Sequence, residues 1–142
     1  MWTYEHAAES EAAPSAIWRV IADIDGWTAW DTSMEQIALL GPFEVGTRIS
    51  MAPMGQDAIK STIVAVEPEV LYAEETEFGG VTLRFSHTLT RLGGGGTRIV
   101  HRLDISGADA DRIGPELGPQ IVEDFPDAMR GLLAAAAAAP AR

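Results

Sequence analysis

Hydrophobic positions change their period along this chain, and the changes mark out its elements. Trp2, Tyr4 and His6 alternate with Thr3, Glu5 and Ala7, a period of two that predicts a first strand. Pro14 then opens a helix through Ile17, Trp18, Val20 and Ile21, ending near Asp23, and a second short helix is expected over residues 26–31. Strands are expected over 34–40, 46–53, 57–66, 70–78, 81–91 and 97–105. Their joints carry turn residues: Gly41-Pro42, Gly55, Pro68, Gly79-Gly80 and the glycines of 93–96.

The period changes again near the end. Ile121, Phe125, Met129, Leu132, Leu133 and Ala136 recur at spacings of three and four, while Glu123, Asp124, Asp127 and Arg130 fall mostly on the other side. This predicts one long helix over 119–139, started at Gly118-Pro119 and stopped at Pro140. Its roughly 30 Å would cross a small domain. Pro126 removes one backbone donor, so a kink is expected there rather than two helices. The alanines of 134–139 continue the helical register and are expected to fray at the end.

Consecutive strands with short joints imply an antiparallel sheet, and no crossover helices separate them, which disfavours a doubly wound fold. The expected class is therefore α+β: seven antiparallel strands curled around a long C-terminal helix, with two short helices after the first strand. A length of 142 residues fits one domain spanning 1–142. Against 21 acidic residues stand 10 basic ones, a net charge of -11 that repels phosphate backbones and anionic lipid. Nucleic acid is not an expected partner. There is no Cys, which excludes disulfides and thiol catalysis. No signal peptide or apolar run long enough to insert in a membrane is visible, so a cytoplasmic protein, monomer or homodimer, is expected.

Several segments resemble one superfamily over nearly the whole chain. They are Trp2-Thr3-Tyr4-Glu5-His6, Pro14-Ser15-Ala16-Ile17-Trp18, Trp27-Thr28-Ala29-Trp30-Asp31, Gly41-Pro42-Phe43 with Gly46-Thr47, and Thr97-Arg98-Ile99-Val100-His101-Arg102. Together they are similar to the helix-grip fold of the START / birch-pollen-allergen superfamily (SRPBCC), whose small members are commonly labelled polyketide cyclase/dehydrase. The resemblance implies a cavity between sheet and helix, with the Trp-x-x-Trp segment near its mouth.

The strands flanking 93–96 carry the most chemistry. Val81, Leu83, Phe85, His87 and Leu89 share one face, as do Thr97, Ile99, His101, Leu103 and Ile105. If Leu89 pairs with Ile99, His87 faces His101 about 5 Å away, and two imidazoles project from an apolar face. They could orient a ligand's polar group or exchange a proton with it, or be core residues satisfied by backbone or water. A third metal ligand at fixed spacing is missing, so no metal site is expected, and no cofactor.

Trp27 and Trp30 lie three apart on one side of a short helix, and Met51, Met54, Phe125 and Met129 would suit an adaptable pocket. Glu75 is a candidate inward carboxylate. The set Glu67, Glu69, Glu74, Glu75 and Glu77 otherwise reads as a solvated strand edge. The segment from Asp23 lacks oxygen donors at the fifth and twelfth positions of a calcium loop, where Trp27 and Met34 stand. The glycines of 93–96 neither precede a helix nor carry a Lys, so they are a hairpin turn. The expected function is binding of a small hydrophobic ligand, aromatic, polyketide-like or lipid-like, by Trp27, Trp30, Met51, Phe85, His87, His101, Phe125 and Met129. A cyclase or dehydratase using His87 and His101 as acid and base is the alternative, and a macromolecular partner module the third.

Overall fold

The computed structural model describes residues 1–138. In chain order it contains β1 (Trp2–Ser10), α1 (Pro14–Ala22), a short 3-10 helix (Ile24–Ala29), β2 (Met34–Leu39), β3 (Arg48–Pro53), β4 (Ile59–Glu67), β5 (Leu71–Phe78), β6 (Val81–Arg91), β7 (Thr97–Ser106), α2 (Ala110–Val122) and α3 (Phe125–Ala138). The seven strands form one antiparallel sheet in the order β1-β7-β6-β5-β4-β3-β2. Chain neighbours pair throughout except at β1, which crosses to cover the free edge of β7. The expected α+β helix-grip architecture is present, with the C-terminal helices lying across the sheet. No helix among the described residues is long and apolar enough to cross a membrane.

Two apolar clusters hold the layers together. One joins Ile17, Ile21, Ile24, Trp27, Ile49, Ile63, Leu89 and Ile99 to Met129, Leu132 and Ala136 of α3. The other joins Val81, Leu83, Leu103 and Ile105 to Ala110, Val122 and Phe125, with Trp2, Tyr4, Leu117 and Ile121 packed against it. The alternation along β6 and β7 therefore feeds both clusters, and the residues between them face the gap. On the opposite face of the sheet, Arg102 pairs with Glu5 and Asp104, and Arg84 with Glu75.

The C-terminal segment departs from the expectation of one kinked helix. It is two helices, and the first begins at Ala110, nine residues before the expected start at 119. A break at Glu123 and Asp124 separates them. Pro126 is the second residue of α3, where a missing backbone N–H costs little, and Ala128 N–H donates to Asp124 C=O (2.9 Å) in the first turn. Proline here restarts a helix instead of bending one. Gly114, Pro115 and Gly118 lie inside α2, residue types that local propensity disfavours within a helix. A Cβ at Gly114 or Gly118 would stand 2.5 Å from Trp2 side-chain atoms, so the two glycines form the flat face on which the indole lies. Residue 139, the last of the expected helix, and the Pro140 stop lie outside the described residues. The second short helix is 3-10 and starts two residues earlier than expected.

Candidate functional site

The turn at 93–96 fixes the register of the β6–β7 hairpin. Leu92 N–H donates to Gly96 C=O (2.8 Å) and Gly95 takes a positive φ of 91°, which glycine adopts without strain. Leu89 then pairs with Ile99, His87 with His101, and Phe85 with Leu103. The two imidazoles stack with centroids 4.1 Å apart, and His101 stacks in turn on Phe125 of α3 at 3.8 Å. His87 and His101 are 7% and 9% exposed. Each Nδ1 is buried without a hydrogen-bond partner.

Burial pushes the His87 imidazolium down to about 4. Burial lowers His101 well below the ordinary range too, and the neighbouring His87 and His6 add to it. His6 stands opposite His101 on β1, so the chain's three histidines form one row across three strands. Both inner rings are therefore neutral near pH 7. Placing each ring's single proton on Nε2 leaves the sealed Nδ1 a bare lone pair and offers two N–H donors to an occupant.

Next to this row lies a carboxyl that sequence reasoning misplaced. Glu75 was the expected inward acid. It faces outward instead and pairs with Arg84 at 3.3 Å. Glu74, one of the acids expected on a solvated strand edge, is 4% exposed and faces the gap. Cross-strand pairing explains the phase: Tyr72 opposes His87, Glu74 opposes Phe85, and Thr76 opposes Leu83. Carrying the inward phase of β6 across to β5 would have found Glu74 from the sequence. Five Glu residues close together concealed it, because composition reads as solvent exposure.

The Tyr72 hydroxyl donates to Glu74 Oε1 at 3.1 Å, while Ser61 and Thr76 share a short hydrogen bond beside it. Burial raises the Glu74 carboxyl to about 7 against the opposing pull of the Tyr72 hydrogen bond. The Tyr72 phenol is pushed far up by burial and by Glu74. Of the polar groups in the gap, Glu74 is thus the one that changes charge near neutral pH.

Around these groups the sheet, α2 and α3 enclose a cavity of about 330 Å³. Its walls include Trp27, Trp30, Met51 and Phe85, and α3 contributes Phe125 and Met129. With His87 and His101, all eight candidate residues are brought to this one space. Trp27 is anchored by its Nε1–H to Ile21 C=O (3.0 Å) and lies 5.7 Å from the Trp30 ring, while Trp30 Nε1 is buried without a partner. Gly131 permits α3 to pass directly over the Trp30 carbonyl, a position any Cβ would block. Met54 does not take part: it lies 58% exposed after the end of β3. Asp31 and Asp124 also line the cavity, half-buried and exposed respectively. Among the described residues, no three His, Asp or Glu side chains are placed to hold a metal ion.

Comparison with known proteins agrees with this fold. The TTHA0849 protein of Thermus thermophilus is similar in structure with a TM-score of 0.77 at 16% identity, over 98% of this chain and 99% of that one. The ZhuI aromatase/cyclase of Streptomyces sp. R1128 gives 0.79 at 16% identity, over 95% and 93%. A START superfamily protein of Mycobacterium smegmatis gives 0.74 at 12%, over 93% and 94%. Such low identities show a shared fold alone. No curated protein matches the sequence. The model of the family described as polyketide cyclase/dehydrase and lipid transport matches residues 1–139. With a match over almost its whole length, the chain belongs to that family.

Proposed function

We propose that this chain binds a small apolar molecule, aromatic or polyketide-like, in the cavity between the sheet and the C-terminal helices. The carrying observation is that the core stops short of filling that space and lines it with aromatic and Met side chains around the stacked imidazole pair. Protein interiors are otherwise close-packed. A volume of about 330 Å³ is near the lower end of the usual range for ligand sites. It suits a few fused rings better than an extended lipid chain. The aromatic and Met walls supply contact, and the two imidazoles hold an oxygen of the ligand through N–H donors.

Calorimetric titration with 2-naphthylmethanol tests this. Saturable one-to-one binding is expected, weakened about tenfold in His101→Ala, the size of one lost hydrogen bond. Absence of any binding overturns the reading.

Glu74 favours a second reading, a cyclase or dehydratase. A carboxyl held near 7 is matched to accept a proton from an acidic C–H at neutral pH, whereas imidazoles pushed down by burial, His87 to about 4, are weak bases. In that reaction His87 and His101 would polarise the adjacent carbonyl and Glu74 would take the proton. Turnover of a poly-β-ketone mimic should then fall by roughly 100-fold or more in Glu74→Gln. Unchanged turnover in that variant would remove Glu74 from the chemistry.

A further inference from the structure

The cavity's lining is one-sided in charge. Asp31, Glu74 and Asp124 line it, and no Lys or Arg does among the described residues. Three arginines of the sheet lie on its other face, engaged with acids there: Arg84 with Glu75, Arg98 with Glu9, and Arg102 with Glu5 and Asp104. The two imidazoles in the lining are neutral, so they neither attract an anion nor repel a cation. Five aromatic rings, those of Trp27, Trp30, Phe78, Phe85 and Phe125, present faces or edges to the same space.

We propose that the cavity sorts ligands by charge and takes apolar, ring-bearing molecules that carry a protonated amine, with Glu74 as the buried counter-ion. The inference rests on the binding reading above and names the ligand class for that same site. An ammonium entering the cavity meets acidic groups at Asp31 and Asp124 and then aromatic surfaces, which attract cations through their negative faces. Beside Glu74 it favours the ionised carboxylate and so displaces the carboxyl proton into solvent. A carboxylate ligand of the same shape meets the reverse. It finds no cation in the lining, and a second anion beside Glu74 must be neutralised by taking up a proton. The net charge of -11 adds a long-range field of the same sign. Fatty acids and other anionic amphiphiles are therefore poor occupants.

Three probes of one shape decide the matter by calorimetry at pH 7: 2-naphthylmethylamine, 2-naphthylmethanol and 2-naphthoate. The amine should bind about tenfold more tightly than the alcohol, and the carboxylate should bind weakest by a comparable factor. Glu74→Gln should bring the amine-to-alcohol ratio close to one, whereas Glu75→Gln, on the outer face, should leave the order unchanged. Alcohol binding with no preference for the amine overturns the charge proposal while the binding reading stands. Tightest binding of the carboxylate overturns it likewise. If none of the three binds, the binding reading itself falls. Should Glu74→Gln not fold, the parent protein still answers: amine binding must release a proton, seen as a binding enthalpy that depends on the buffer's ionisation enthalpy. No such dependence overturns the role of Glu74.

Discussion

Glu74 and His87 stand on adjacent strands and move stability in opposite directions as pH changes. The Glu74 carboxyl sits at about 7 against an ordinary 4.5, so between those values the folded protein holds a proton that the unfolded chain has released. Its contribution to stability therefore falls as pH rises from about 4.5 to 7 and stays low above, by about 3 kcal/mol in all. Glu74→Gln should consequently exceed the parent in denaturant stability at pH 8 and match it near pH 4.5. An equal difference at both pH values would rule out this origin. His87 does the reverse. Held at about 4 against 6.5, it refuses a proton that the unfolded chain accepts, so stability is lost as pH falls through that window. His101 acts in the same direction. His87→Leu removes an unpaired buried polar group and should flatten the acid limb, gaining about 2 kcal/mol at pH 5 relative to the parent. A limb of unchanged steepness in urea titrations would refute it.

Among the elements, α2 shows how glycine can favour a helix through what it packs against. Alanine normally stabilises a helix by about 1 kcal/mol over glycine. At Gly118, however, a Cβ would press on the Trp2 ring at 2.5 Å. Gly118→Ala should therefore destabilise by about 1–3 kcal/mol, the range for overpacked sites. In a Trp2→Ala background the clash disappears, and the same change should stabilise. Denaturation midpoints of the four proteins in this cycle provide the check, and the absence of coupling between the two positions would sink it. The break between α2 and α3 has a related consequence for function. By ending α2 at Val122 and starting α3 at Phe125, it keeps Phe125 in the cluster of α2 and against the imidazole stack, while Met129, Leu132 and Ala136 of α3 join the other cluster.

Across the whole molecule, the two clusters meet at the β6 and β7 rungs where His87 and His101 replace aliphatic residues. Leu83, Leu103 and Ile105 belong to one cluster, Leu89 and Ile99 to the other, and the histidines to neither. The cavity is thus the seam between two cores. Filling it should strengthen the fold and remove the site together. Ala128 of α3 lines this space and is 9% exposed. Ala128→Phe should raise the melting temperature, since burying an aromatic ring contributes on the order of 2 kcal/mol. It should also abolish naphthylmethanol binding in calorimetry. A variant that is more stable and still binds would place the site elsewhere.

The order of elements through β7, the antiparallel pairing and the His87–His101 register follow from the sequence alone. Period-two alternation on either side of a glycine turn leaves one pairing that buries both apolar faces. The same local logic put Phe85, His87 and His101 on inward faces of two strands and Phe125 and Met129 on one helix face, while the place of Trp27 and Trp30 near the cavity came with the family resemblance. It could not place Glu74, whose direction is set by pairing with β6 rather than by its acidic neighbours. Nor could it read Gly114 and Gly118 as helical, since their fitness depends on Trp2, more than a hundred residues away in the chain. The protonation of the site, too, belongs to the tertiary structure. The residue types supplied a carboxyl and two imidazoles, but only burial between two cores moved the carboxyl up and the imidazoles down, because desolvation acts on the environment a side chain finally occupies.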